Sequence, residues 1–138
     1  MVKEKTAITV TDRMRLQEMI RTLQTVGDPY RSHLRELIEE LCQAEVIPGT
    51  EVESDVITMN SRVRARDLNS GVTQTFTLVY HGESRMFDDR LSVLTPLGVR
   101  MLGRRAGDVV EWPVRRGVRR LRIEEISYQP EAAGDFGL

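Results

Sequence analysis

A single cysteine in 138 residues, Cys42, excludes an intramolecular disulfide and any cysteine-pair metal motif, and it fits a reducing compartment. Aromatic residues make up only 5% of the chain, and Phe76, Phe87 and Phe136 are scattered, so no stacking platform for bases is in view. The two histidines, His33 and His81, stand too far from each other and from Cys42 in sequence to form a ligand motif. No apolar run is long enough for a membrane span, and the first residues lack a signal-peptide core, so the expected location is cytoplasmic, with no membrane partner. Charge of one sign is also missing. Lys+Arg 20 against Asp+Glu 21 leaves a net charge of -1, which excludes general electrostatic attraction to nucleic acid.

What is present is a hydrophobic content of 40%, enough for one small core with an appendage. Ala7 to Val10 reads as a short strand or an extended lead-in, after which Thr11 offers a helix cap and Asp12 sits in the favourable first turn. Leu16, Met19, Ile20 and Leu23 then repeat at helical spacing as far as Gly27. Asp28 and Pro29 restart a helix striped by Tyr30, Leu34, Leu37, Ile38 and Leu41. With so short a connection the two helices are expected to form an antiparallel hairpin, a short coiled coil over residues 1–48. Pro48-Gly49 marks the boundary, and residues 49–138 form the second domain.

Beyond Asp55 the period becomes alternating. Val63 and Ala65 oppose Arg62, Arg64 and Arg66, and Asn69-Ser70-Gly71 turns the chain into a strand whose inner face is Val72, Phe76, Leu78 and Tyr80. A last hairpin runs from Val109 to Val114, turns at Arg115-Arg116-Gly117 and continues to Tyr128. Leu121 and Ile123 share one parity while Ile126 and Tyr128 share the other, so bringing all four to the core requires a β-bulge near Glu124-Glu125. The stretch Leu91 to Glu111 joins these strands through a tightly specified short helix. Thr95 caps it, Pro96 occupies its first position, Leu97, Met101 and Leu102 share one side, and Gly103 ends it in a left-handed conformation. The whole is α+β: a helical hairpin, then an antiparallel sheet covered by one short helix.

The run Leu91 to Gly98, Met101-Leu102-Gly103 and Gly107 to Val110 resembles the C-terminal domain of the Gre transcript-cleavage factors. Val56 to Val63 and the tail Tyr128 to Phe136 resemble the related regulator of nucleoside diphosphate kinase (Rnk) family. The resemblance implies an FKBP-like second domain. It also implies a partner, RNA polymerase, gripped at the β′ subunit coiled coil on the secondary channel rim through a helix start that matches Thr95 and Pro96. Leu94 and Leu97 would supply an apolar contact there and Arg100 or Arg104 a charged edge. In Gre factors a longer hairpin enters the channel and its acidic tip helps hold a catalytic magnesium. Here the tip offers Asp28 alone, Glu36 lies about two turns farther on, and the hairpin reaches only about 22 Å. The implied function is therefore a non-catalytic transcription regulator that competes with Gre-type factors. The tail has no regular period, and the resemblance implies that it packs back onto the body.

The residues themselves support no enzyme and no cofactor: there is no phosphate-binding loop, nucleophile elbow or metal-ligand cluster. His33 reads as a surface residue and Cys42 as a small, partly buried apolar one. Two rivals remain. An FKBP-like shape admits a peptidyl-prolyl isomerase, with Trp112, Tyr80 and Phe76 to line a proline pocket. The arginines from Arg100 to Arg122 make that end basic, and Arg115, Arg116, Arg119 and Arg120 read as a charge-protected strand edge, a dock for an acidic protein or a nucleic-acid contact. Direct recognition of specific DNA is not expected.

Overall fold

The computed structural model describes residues 6–26, 31–82 and 89–136. Helix α1, Val10–Val26, contains neither glycine nor proline, and Leu16, Ile20 and Leu23 on one side of it are buried. Helix α2, Arg31–Gln43, answers with Leu34, Leu37 and Leu41, also buried. Strand β1, Ala7–Thr9, leads directly into α1, and β2, Glu45–Ile47, leaves α2; the two pair in parallel. The helices thus depart from and return to one two-stranded ribbon, so they run in opposite senses. The cap of α1 differs from expectation. Asp12 donates its backbone N–H to the Thr9 side chain at 3.1 Å, so Thr9 rather than Thr11 starts the helix.

The main sheet holds β3 (Arg62–Asp67), β4 (Thr73–Val79), β5 (Arg90–Ser92), β6 (Val109–Val114) and β7 (Gly117–Tyr128) in the order β5-β4-β3-β7-β6. It is mixed rather than wholly antiparallel, because β5 runs parallel to β4 over Thr77–Val79. Helix α3, Pro96–Met101, packs on the sheet through Val99 and Met101, and Val63, Ala65, Leu78, Leu121 and Ile123 complete the core between them.

The expected bulge is present: Ala65 pairs with Ile123 and Arg64 with Glu125, so Glu124 is passed over. A second lies one step on, since Val63 pairs with Ile126 but Arg62 with Tyr128. That second insertion turns Tyr128 onto the Arg62 face, away from the core where it was expected, and its hydroxyl meets Asp135 instead. Val72 also departs from expectation. It precedes β4 in the turn and is 57% exposed, beyond the reach of the core.

The tail packs back. Pro130–Ala133 forms a short helix, α4, ended by Gly134 at φ 80. Gln129 is buried and its side-chain amide donates to the carbonyls of Glu53 and Val56, both at 2.7 Å. Thr58 donates its hydroxyl to Glu131 at 2.5 Å. The irregular segment before β3 is thereby held from the C-terminal side.

Candidate functional site

The start of α3 is specified by a chain of bonds that begins one strand earlier. The Ser92 carbonyl accepts both the Thr95 hydroxyl (2.7 Å) and the Thr95 backbone N–H (3.1 Å), and the Thr95 oxygen accepts the Gly98 N–H at 3.0 Å. Thr95 is the N-cap and Pro96 the first helical residue, as the sequence implies. Gly98 is required by packing: a Cβ there would lie 2.0 Å from the Ser92 carbonyl oxygen. Gly103 follows at φ +79, and a Cβ on it would strike the Thr6 side chain at 1.9 Å.

The residues expected to bind here divide sharply. Pro96 is exposed, and Thr95 and Leu97 are half-buried, so all three meet the surface. Leu94 does not: it is 5% exposed and belongs to the core, in the turn between β5 and α3 where Ser92 and Val93 are buried as well. Arg100 is committed in part to its own chain, donating to the Pro96 carbonyl at 2.8 Å and pairing with Glu36 of α2 at 2.8 Å. That pair ties α3 to the helical hairpin. Beside it lies a polar cleft of about 420 Å³ between α2, α3 and β6, with Glu39 and Glu40 on one wall and Arg104 on another.

Asp28 lies outside the described residues, as do Pro29, Tyr30 and Phe87. Among the described residues no group of three His, Cys, Asp or Glu side chains converges as a metal site. The three aromatic residues considered for a proline pocket are not gathered. Phe76 is in the core, Tyr80 is engaged with Asp12, and Trp112 on β6 lies under the Arg119 guanidinium at 5.4 Å. Cys42 is exposed, contrary to expectation, because its position on α2 flanks the Leu34–Leu37–Leu41 stripe and does not lie within it; His33 is half-buried. The basic end is also more neutral than the sequence implies. Arg105 pairs with Glu53 and Asp55, Arg119 with Asp67, and Arg120 with Glu111.

Sequence reasoning placed Asp12 in the first turn of α1 but missed its burial. Its carboxylate is 1% exposed and accepts the backbone N–H of Met59 at 2.9 Å and the Tyr80 hydroxyl at 3.4 Å, joining α1 to the sheet domain. Burial raises its pKa from 3.8 to about 6 against the lowering effect of the Met59 N–H, and the charge of Glu131 adds to the rise. Burial, followed by the charge of Asp12, pushes the Tyr80 hydroxyl upward in turn. Asp67 shows the opposite case: bonds from Arg119 and from the Ser70 and Asn69 backbone hold its carboxyl down near 2. The pattern Thr9-x-x-Asp12, a cap followed by an acid, was the one local trace of the buried junction.

Three comparisons bear on this geometry. The family described as "Transcription elongation factor, GreA/GreB, C-term" matches residues 52–128. A "Regulator of nucleoside diphosphate kinase" from Escherichia coli (strain K12) is 43% identical over 98 residues, covering 70% of this chain and 72% of that protein. A "Transcription elongation factor GreA" from Thermotoga neapolitana is 34% identical over 96 residues, 70% of this chain and 61% of its own. Among solved structures, a "Prokaryotic transcription elongation factor GreA/GreB from Nitrosomonas europaea" superposes with a TM-score of 0.75 at 37% identity, covering 91% of this chain and 100% of that one.

Proposed function

The chain belongs to the regulator of nucleoside diphosphate kinase family and carries the GreA/GreB C-terminal domain, and from that premise we propose that it binds RNA polymerase at the secondary channel through the start of α3. At the coarser level it is a regulator of the transcription-elongation-factor type. In the finer reading, residues 49–138 dock on the β′ coiled coil at the channel rim and residues 1–48 form an arm directed at the channel. The observation that carries this reading is the contrast within α3. Gly98, Val99 and Met101 are buried, while Pro96 at its first position stands exposed beside half-exposed Leu97. An apolar pair at a rigid helix start suits the centre of an interface.

The Arg100–Glu36 ion pair gives the arm a direction. It joins the docking helix to α2, so a partner that fixes α3 also orients the hairpin. The protein would occupy the place that cleavage factors need, without their chemistry, in the cytoplasm where polymerase works. The test is competition between this protein and a Gre factor for core RNA polymerase. Mutual displacement is expected, weakened by Pro96→Ala and more by Leu97→Asp, with both variants shown to be folded. Stimulated cleavage of backtracked RNA by the purified protein would overturn the non-catalytic reading, and absence of binding would overturn the partner.

A further inference from the structure

The arginines of the β6–β7 turn take no part in that reading, and the strand register brings them to the same end of the sheet as a set of exposed apolar side chains. β3 ends, β4 begins, β6 ends and β7 begins at this end. Asp67, the last residue of β3, pairs with Leu121, so the four residues Gly117 to Arg120 run past it, about 13 Å at ~3.3 Å per residue. Leu68 closes the junction by donating its N–H to the Arg120 carbonyl at 3.0 Å. Leu68, Val72, Val114 and Val118 are 38%, 57%, 38% and 49% exposed, four of the eight exposed large apolar side chains among the described residues.

Charge at this end is open in one sense only. Arg119 is taken by Asp67 at 2.5 Å and Arg120 by Glu111 at 2.9 Å. Arg115 and Arg116, exposed at the turn, have no ion pair among the described residues. Protection of the open β6 edge accounts for arginines and for Pro113 in that strand, but it does not account for Leu68 and Val72 on the other hairpin.

We propose that this end of the sheet is a second docking surface, and that its occupant is an acidic protein segment bearing aliphatic side chains. The two open guanidinium groups meet its carboxylates, and Leu68 and Val118 meet its apolar residues. Nucleic acid fits less well, because single strands are held by stacking on open rings and the Trp112 ring here is covered by Arg119. Two hairpin tips offer far less than the ~800 Å² per partner of a standard interface, so the segment is short and exchanges quickly. The start of α3 follows β5, which pairs with the far end of β4, so both surfaces are open at once.

The experiment titrates the full isotope-labelled chain with a short synthetic peptide of Glu, Asp, Leu and Gly while backbone amide resonances are followed. Two parallel titrations use the same peptide with lysine for its acids and a single-stranded oligonucleotide. Saturable shifts at Leu68, Val72 and Val114 to Val118, with none at Thr95 or Leu97, are expected for the acidic peptide alone. Arg115→Glu with Arg116→Glu should weaken binding about tenfold or more, roughly 1.4 kcal/mol. Leu68→Ser with Val118→Ser should weaken it at high salt, where charge is screened. Both pairs are exposed, and an unchanged background spectrum verifies that each variant is folded. Tighter, steeply salt-dependent binding of the oligonucleotide would assign the end to nucleic acid and overturn the proposal. So would shifts that are absent, or indifferent to the Leu68 and Val118 changes.

Discussion

Two helix starts in this molecule use the same device and put it to different ends. At α1 the Thr9 oxygen accepts the N–H of Asp12, three residues on; at α3 the Thr95 oxygen accepts the N–H of Gly98, also three residues on. The cap and the acid of the α1 start are sealed, while Val10 between them is 44% exposed. Thr9 and Asp12 are each 1% exposed, and the Asp12 carboxylate is spent on Met59 and Tyr80 of the sheet domain. The α3 start is open, with Pro96 at the surface. A capped helix start therefore becomes a joint when an acid behind it finds buried donors. It remains available to a partner when a glycine behind it presses the helix into the sheet and leaves only the first residue fully outside.

The most damaging way to break the open start is Gly98→Ala. Its Cβ would meet a backbone carbonyl, not a movable side chain, so α3 must lift from β5, at a cost of about 3 kcal/mol or more. Chemical denaturation of the variant would measure it. Gly103→Ala would not be a substitute, since it also strains a left-handed backbone.

The sealed start gives the next largest effect, and its sign follows from the titration. In the folded protein the Asp12 carboxyl titrates near 6, above its unfolded value of 3.8, so folding favours the neutral form. The penalty for burying the charge is fully present above pH 6 and is relieved as pH falls through 6, the relief being complete below about pH 4. Its span is at most ~3 kcal/mol. Stability measured from pH 8 downward should carry this gain, and Asp12→Asn, which keeps an acceptor without the charge, should flatten the profile and be at least as stable as wild type at pH 8. A decrease in wild-type stability between pH 7 and pH 5 that Asp12→Asn leaves unaltered would contradict the joint.

Smaller effects sharpen the comparison at the open end. Thr95→Ala removes the cap bond from Gly98 and the hydroxyl bond to the Ser92 carbonyl and should cost about 1–2 kcal/mol in thermal or chemical unfolding. Pro96→Ala touches neither the cap nor the core and should change stability by only a few tenths of a kcal/mol, while still weakening polymerase binding in the competition assay. If Pro96→Ala instead destabilised as much as Thr95→Ala, its exposure would have a structural cause and its value as a binding residue would fall.

Much of this was legible without coordinates. Thr95-Pro96 announced a helix start because a side-chain oxygen before a proline has few other uses, and the change of parity between Ile123 and Ile126 demanded an insertion at Glu124. The second insertion at Ser127 was hidden. Ile126 and Tyr128 alternate correctly on paper, and only their pairing with Val63 and Arg62 shows that they face opposite ways. The parallel placement of β5 was hidden for a similar reason, since alternation in three residues says nothing about which neighbour they join or in which sense.

The sequence by itself determined the helical hairpin, the strands β3, β4, β6 and β7, the short capped helix and the family, because these rest on spacings of one to four residues and on motifs read in place. Tertiary structure decided which of those features are consumed. It buried Leu94, drew Arg100 to Glu36, paired Arg119 and Arg120 with acids, and closed Asp12 against residues 47 and 68 positions away. Availability to a partner depends on what packs against a residue from elsewhere in the chain, and a local pattern such as Thr9-x-x-Asp12 does not name that neighbour.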